Sequence, residues 1–370
     1  MIKKIITILF ILLFSVSLTA QEQDCWSLFR GNTQLHGVAK GNFPTDPKLL
    51  WTFQTEDNIK SSPAVCNGIV IAGSVDGCIY ALDLEGKQLW TVQTENAIEA
   101  PVLILDNTAY VGNLDGILLA LDLQTGVERW RFKADNQISG SPNWWRKGKD
   151  ARIIVGSYDY FLYCLDAKTG KEHWKYESDN YVNGAAAILG NDAIFGGCDG
   201  FLHIIDIERG ELRKKIDIAT YIAGSVAIEG NKAYVGDYDG RFSVIDMEKG
   251  EIIWQYEHPK YHLPFLASPS ISGNKVVIGN RDKNLYCLNK NTGALLWSHR
   301  SGSRIDASPI IANSKILMTN MRGDIQILNL NDGKVLWSYE IGSAIDATPA
   351  FANGKIFIGA NDGQVYCFGE

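Results

Sequence analysis

Three sets of residues in this chain have types and spacings that chemistry can use. The first is a run of tyrosines, Tyr158, Tyr160, Tyr181, Tyr221, Tyr238 and Tyr261, overlapped by a basic run, His258, Lys260, His262, Arg281, Arg300, Arg304 and Arg322. Aromatic faces stack on sugars or peptide side chains, and arginine forks grip carboxylates. Together they would suit an anionic small molecule, an acidic glycan or the acidic segment of a partner protein; otherwise they are solvated loop residues. In the second set, His262 with Tyr261 and Arg304 supplies the base and charge neutraliser needed for elimination at a uronic acid. The third is Glu99, Asp306 and Asp346, oxygen ligands that would suit calcium if one axis gathers them. The alternative is a channel lined with polar groups and satisfied by water.

Residues this far apart meet only in a cyclic fold, and the chain repeats itself. "GSVDGCIYALDLEGKQLW" (Gly73 to Trp90) returns as "GNLDGILLALDLQTGVERW", ending at Trp130, and as "GANDGQVYCFGE" at the C-terminus. Aligned on the aromatic that ends each unit, Trp51, Trp90, Trp130, Trp174, Ile216, Trp254, Trp297 and Trp337 recur at 38 to 44 residues. A period of about 40 residues with several short strands per unit is the signature of propeller blades, and eight markers predict eight. In the seventh, "IDASPIIA", "KILMTN", "DIQILNL" and "KVLWSYE" read as four strands, continuously apolar inside and alternating outside.

Pairs such as Asp76-Gly77, Asp115-Gly116, Asp239-Gly240 and Asp362-Gly363 supply positive φ in the hairpin turns, as Thr125-Gly126 and its counterparts do one turn later. These Asp and Gly residues read as architectural. The expected fold is therefore all-β, an eight-bladed propeller of four-stranded antiparallel blades over residues 48–370. The last unit stops at Glu370 after three strands, while "KLLWTFQT" (Lys48 to Thr55) is a fourth strand without a unit. The N-terminal strand should thus complete the last blade, leaving no open edge, and truncation at either end should unfold the ring. The loops from each outer strand to the next inner strand share a face with the second-to-third-strand turns. The tyrosines and cations lie on those loops. The carboxylates lie on the innermost strands, where one position holds Lys60, Glu99, Ser139, Asn183, Ala223, Leu266, Asp306 and Asp346 around the ring.

Lys3 and Lys4, an apolar run from Ile5 to Leu18 and Thr19-Ala20 form a secretory signal, residues 1–20, with cleavage after Ala20. The run is shorter than the roughly 20 residues of a bilayer span. Residues 21–47 form a lead-in, and the expected location is periplasmic or secreted. Cys25 lies near the exit, but Glu22, Gln23 and Asp24 precede it where a lipobox needs apolar and small residues, so no lipoprotein is expected. The seven cysteines leave at least one without an intramolecular partner. Cys164, Cys287 and Cys367 share a repeat column with Ala81, Ala120, Ile204 and Val244, and there a cysteine packs as a small hydrophobe. A net charge of −7 argues against nucleic acid, whose binding draws on Lys and Arg.

The unit G-x-x-D-G-x-h-Y-A-L-D-x-x-T-G-x-x-x-W, with h apolar, resembles the repeat of the pyrroloquinoline-quinone (PQQ)-like β-propellers over Lys48 to Glu370. "CWSLFRGNTQLHGVA" (Cys25 to Ala39) is similar to the lead-in of small exported members. The resemblance implies either of two functional branches, quinoprotein dehydrogenases or scaffolds such as the outer-membrane assembly factor BamB. The dehydrogenases add long insertions, a vicinal Cys-Cys pair and a calcium site, and this chain has neither adjacent cysteines nor long insertions. The expected function is a non-catalytic binding or scaffold module without a cofactor, recognising a protein, glycan or anionic ligand on its loop face. The alternative is an enzyme, PQQ-dependent or acting on carbohydrate as a uronate lyase does.

Overall fold

The computed structural model describes residues 24–370, so the expected signal peptide lies outside the described residues. Among the described residues there are 32 strands and no helix, hence none long and apolar enough to cross a membrane. The strands form eight four-stranded antiparallel sheets. Blade 1 is β2 (Ala64–Cys66), β3 (Ile69–Gly73), β4 (Cys78–Asp83) and β5 (Gln88–Gln93). Blades 2 to 7 repeat this order over residues 103–133, 143–177, 187–217, 227–257, 270–300 and 310–340. Blade 8 is β30 (Ala350–Ala352), β31 (Lys355–Gly359), β32 (Gln364–Gly369) and, last, β1 (Lys48–Gln54). β1 pairs antiparallel with β32 from Lys48 opposite Gly369 to Gln54 opposite Gln364, which closes the ring as expected.

The motif residues interlock. Trp51, Trp90, Trp130, Trp174, Trp254 and Trp297 donate their indole N–H to a backbone carbonyl in the next blade's third-to-fourth-strand turn at 2.7–3.2 Å. Each ring lies flat on the glycine of that turn. A Cβ on Gly126 (φ +71°) would stand 2.7 Å from Trp90, and one on Gly170 would stand 2.5 Å from Trp130. The T-G and W signals are therefore two halves of one contact. The Asp of the Asp-Gly turns is likewise structural: Tyr80 donates to Asp76 at 2.9 Å and Tyr366 to Asp362 at 2.5 Å.

Blade 4 corrects the sequence alignment. The strand partner equivalent to the other tryptophans is Lys214, opposite Ile204, and not Ile216. Its ammonium donates to the Glu248 carbonyl, a cationic stand-in for the indole N–H. Ile216 is a buried residue two positions on.

The lead-in is a strap. The Trp26 N–H and C=O exchange hydrogen bonds with Val65 of blade 1, and Ser27 O accepts from Ile104 of blade 2. Thr33 O accepts from the Asn143 side chain and the Ile188 N–H of blades 3 and 4. Gln34, His36 and Gly37 carbonyls accept from Ile228, Ile271 and Ile311 of blades 5 to 7, and Phe43 packs edge-on against Phe351 of blade 8 at 4.8 Å. The innermost strand of each blade is an edge, and its N–H groups need partners. The strap supplies them and closes one end of the channel.

Arg30, wholly buried with no carboxylate beside it, donates to the Pro309 and Pro269 carbonyls at 2.6 and 2.9 Å and to Ser270 Oγ at 2.6 Å. Burial pulls its guanidinium down to about 9, still charged at neutral pH. Cys25 is disulfide-bonded to Cys66, which pins the strap to blade 1. Cys164, Cys287 and Cys367 are free and buried in the core, and burial pushes their thiols up to about 12.

Candidate functional site

Above the strap, the inner strands enclose a cup of about 210 Å³ floored by Phe29. Its lower tier comes from the small residue that follows the channel position by two. The Ala185 N–H donates to Ser225 Oγ, Ser225 to Ser268, Ser268 to Ser308, Ser308 to Thr348 and Thr348 to Ser62, all at 2.9–3.0 Å. This hydroxyl relay meets the edge-strand requirement for hydrogen bonds a second time, blade to blade. Pro101 and Ala185 interrupt it, because one lacks an N–H and the other a hydroxyl. The column of small residues was visible in the sequence; their chaining was not.

The upper tier is the ring of Lys60, Glu99, Ser139, Asn183, Ala223, Leu266, Asp306 and Asp346, all lining the cup. The expected calcium cluster does not assemble. Lys60 donates to Glu99 at 2.8 Å, and that bond raises the lysine pKa. Arg281 forks onto both oxygens of Asp306 at 3.0 and 2.8 Å, and Asn361 donates to Asp346 at 2.7 Å. No group of three or more His, Cys, Asp or Glu side chains among the described residues could hold a metal. The carboxylates meet nearer partners before they meet each other. The Oδ1 atoms of the channel residue Asn183 and of Asn361, the partner of Asp346 that sequence reasoning missed, are buried without a hydrogen-bond partner among the described residues.

At the mouth, one backbone bond recurs. In blades 3 to 7 the second residue after the second strand donates its N–H to the carbonyl of a residue in the loop entering the same blade: Tyr158 to Gln137, Cys198 to Tyr181, Tyr238 to Tyr221, Arg281 to Pro264 and Met321 to Arg304, at 3.0–3.3 Å. Two repeat columns thus stand side by side around the opening, and their variation makes its character. Blades 3 to 5 are aromatic. Tyr158 stacks on Tyr181 with centroids 4.7 Å apart and Tyr160 leans on it at 5.4 Å. Tyr181, Tyr221, Tyr238 and Tyr261 expose between 38% and 56% of their surface, which leaves ring faces for a ligand.

Blades 6 and 7 are cationic but engaged. Arg304 joins Arg281 on Asp306 at 3.3 Å, so two guanidiniums share one carboxylate, with the Asp346 carboxylate acting on Arg281 as well. Arg322 pairs with Asp324 at 2.9 Å. His262 pairs with Glu257 at 2.6 Å, while Tyr261 stacks on His258 at 4.9 Å. Each member of the elimination triad is thus held by a different neighbour, Glu257, His258 or Asp306.

A family model described as outer membrane protein assembly factor BamB matches residues 44–140, 114–256 and 199–370. Among solved structures, BamB from Moraxella catarrhalis is similar at 21% identity and TM-score 0.74, over 88% of this chain and 98% of that one. A europium-containing methanol dehydrogenase aligns at 13% identity and TM-score 0.79, over 94% of this chain and 98% of that one. Quinohemoprotein alcohol dehydrogenase from Comamonas testosteroni aligns at 14% and 0.77, over 94% and 81%. At these identities the structural likeness concerns the fold. No curated protein sequence matches the chain.

A quinone held with calcium, which the enzyme branch implies, does not fit the residues present. The cup, at about 210 Å³, is smaller than the roughly 300 Å³ at which small-molecule pockets begin. Its acidic side chains already pair with Lys60, Arg281 and Asn361.

Proposed function

The chain belongs to the family of the outer membrane protein assembly factor BamB, and from that premise we propose that it is an exported, non-catalytic module that holds a segment of a partner protein across its open mouth. The observation that carries this reading is the shelf of exposed tyrosines on blades 3 to 6, continuous with the Arg281, Asp306 and Arg304 cluster. Tyr and Arg are the residue types that dominate protein-binding hot spots, because a rigid ring or fork loses little entropy when it docks. An apolar or aromatic side chain on the partner would lie on Tyr221 and Tyr238, and a neighbouring carboxylate would meet the half-exposed guanidinium of Arg304. The strap shuts the other end, so ligands enter from the loop face alone. Secretion to the periplasm or beyond accords with the leader and with the Cys25–Cys66 disulfide.

The test is binding of the chain from Gln21 to peptide and glycan arrays, followed by titration of the strongest peptide. Replacing Tyr221 and Tyr238 together by Ala should weaken that peptide by roughly 30-fold, the equivalent of one hot spot of about 2 kcal/mol. Equal binding by the double variant, or capture of glycans alone, would overturn the protein-segment reading. Dye-linked alcohol oxidation on adding PQQ and calcium would overturn the non-catalytic one.

A further inference from the structure

Blade 3 departs from the repeat on the strap side of the ring, opposite the mouth. Its first two strands, β10 (Asn143–Lys147) and β11 (Asp150–Gly156), are five and seven residues long, against three and five in the other blades. The longer hairpin overhangs blade 2. Arg146 reaches across to Asp106 in the first turn of that blade, and the arch so formed bounds a cleft of about 670 Å³. Thr108 and Tyr110, both buried, form its floor.

The cleft has more cations than anions. Arg129, Arg146, Lys149 and Lys168 line it, against Asp106 and Asp166. Asp106 is taken by Arg146, and Asp166 Oδ1 accepts from the Lys168 and Thr169 N–H groups and the Thr169 hydroxyl. Arg129 is held in place by Thr108 and Asp122, each at 2.7 Å. The Lys149 and Lys168 ammonium groups form no ion pair among the described residues and stand on the rim of the same cleft. On a protein of net charge −7, four cations against Asp106, Asp166 and the Asp122 that holds Arg129 leave one positive charge in excess, and two ammoniums stand outside any ion pair at a place the repeat did not require.

We propose that this cleft between blades 2 and 3 binds a phosphate monoester. Such a group carries close to two negative charges at neutral pH and three strong acceptor oxygens. The two lysine ammoniums attract its charge, while the guanidinium N–H groups match the oxygens. Placed opposite the mouth, the site can be filled while the loop face holds its partner.

The experiment is calorimetric titration of the full exported chain with glycerol 3-phosphate and with inorganic phosphate at low salt. Co-sedimentation with vesicles containing phosphatidic acid, against vesicles of phosphatidylcholine alone, runs beside it. Saturable binding that weakens with added salt and falls at least tenfold in the Lys149→Ala, Lys168→Ala double variant supports the site, and both exposed lysines can be replaced without touching the core. Vesicle binding lost in the same variant assigns the phosphate to a lipid headgroup, and binding of the soluble phosphates alone assigns it to a free metabolite. No saturable binding in any arm, or equal binding by the double variant, overturns the proposal. Replacing Tyr221 and Tyr238 by Ala should leave phosphate binding unchanged, which keeps this test separate from that of the mouth.

Discussion

At the residue scale, carboxylates in the turns set how the protein answers to acid. Burial pushes the Asp166 and Asp206 carboxyls up, but the Thr169 hydrogen bonds at one and Arg213 at the other outweigh it and hold both below the ordinary range. Asp246 is held low mainly by the Lys249 N–H, and Asp122 by Arg129. A carboxyl whose pKa is depressed by folding adds stability above its unfolded value of about 3.9 and loses it as pH falls through the folded value. Asp192 and Asp237, pushed up by burial, act with the opposite sign. Stability should therefore fall as pH drops below about 4. Asn289 and Asn329 already stand at the equivalent turn position, so a variant with Asp166→Asn and Asp246→Asn should fold and lose less stability between pH 4 and pH 2 in urea titrations. An unchanged acid limb would show that other groups govern it. The sequence located Arg281 and Arg304 at the mouth; their sharing of Asp306 was not legible, since it needs Arg281 of one blade to meet the loop that enters the next.

The element is the blade, and its signals were legible because each is local. A period of two marks the strands, Asp-Gly marks one turn, and Thr-Gly with Trp marks the next together with the interface to the neighbouring blade. Blade 4 is the exception that tests this account. Its tryptophan position is Lys214, and the nearby Ile216 imitated the marker because alignment by hydrophobicity passes over a lysine whose stem packs like an apolar chain. Gly250 faces Lys214 much as Gly126 faces Trp90, with the lysine Cε 3.2 Å from where a Cβ would be. Lys214→Trp should rebuild the standard interface and raise stability by about 1 kcal/mol, as consensus substitutions commonly do, seen as a higher urea midpoint at unchanged slope. A lower midpoint would mean that the Lys214 bond to Glu248 is worth more than the indole. The lengthened hairpin of blade 3 was present in the sequence as "NWWRKGKDARIIVG", but its overhang of blade 2 depends on where the ring places the two blades.

For the whole molecule, closure happens twice, by β1 in the last blade and by the strap across all eight. The disulfide between Cys25 and Cys66 spans 41 residues, and by chain entropy a link of that length is worth about 4 kcal/mol. Replacing both cysteines by Ser should lower stability by that order, measured by urea unfolding against the wild type under oxidising conditions. A loss under about 1 kcal/mol would indicate that the strap is held by its backbone bonds and Arg30 alone. By itself, the sequence determined the blade, the number of blades, the closing strand and the face that carries variable side chains. All of these follow from a pattern that repeats at about 40 residues and involves near neighbours. Only the tertiary structure decided that residues 24–47 cross every blade, that the carboxylates of the ring pair with cations and amides before they can share a metal, and that a cationic cleft opens between blades 2 and 3. The strap contacts include one between residues 279 positions apart, and the others join residues 15 to 40 positions apart, within a blade or between neighbouring ones. None has a period to announce it, and they form only once the ring has fixed the distances between its blades.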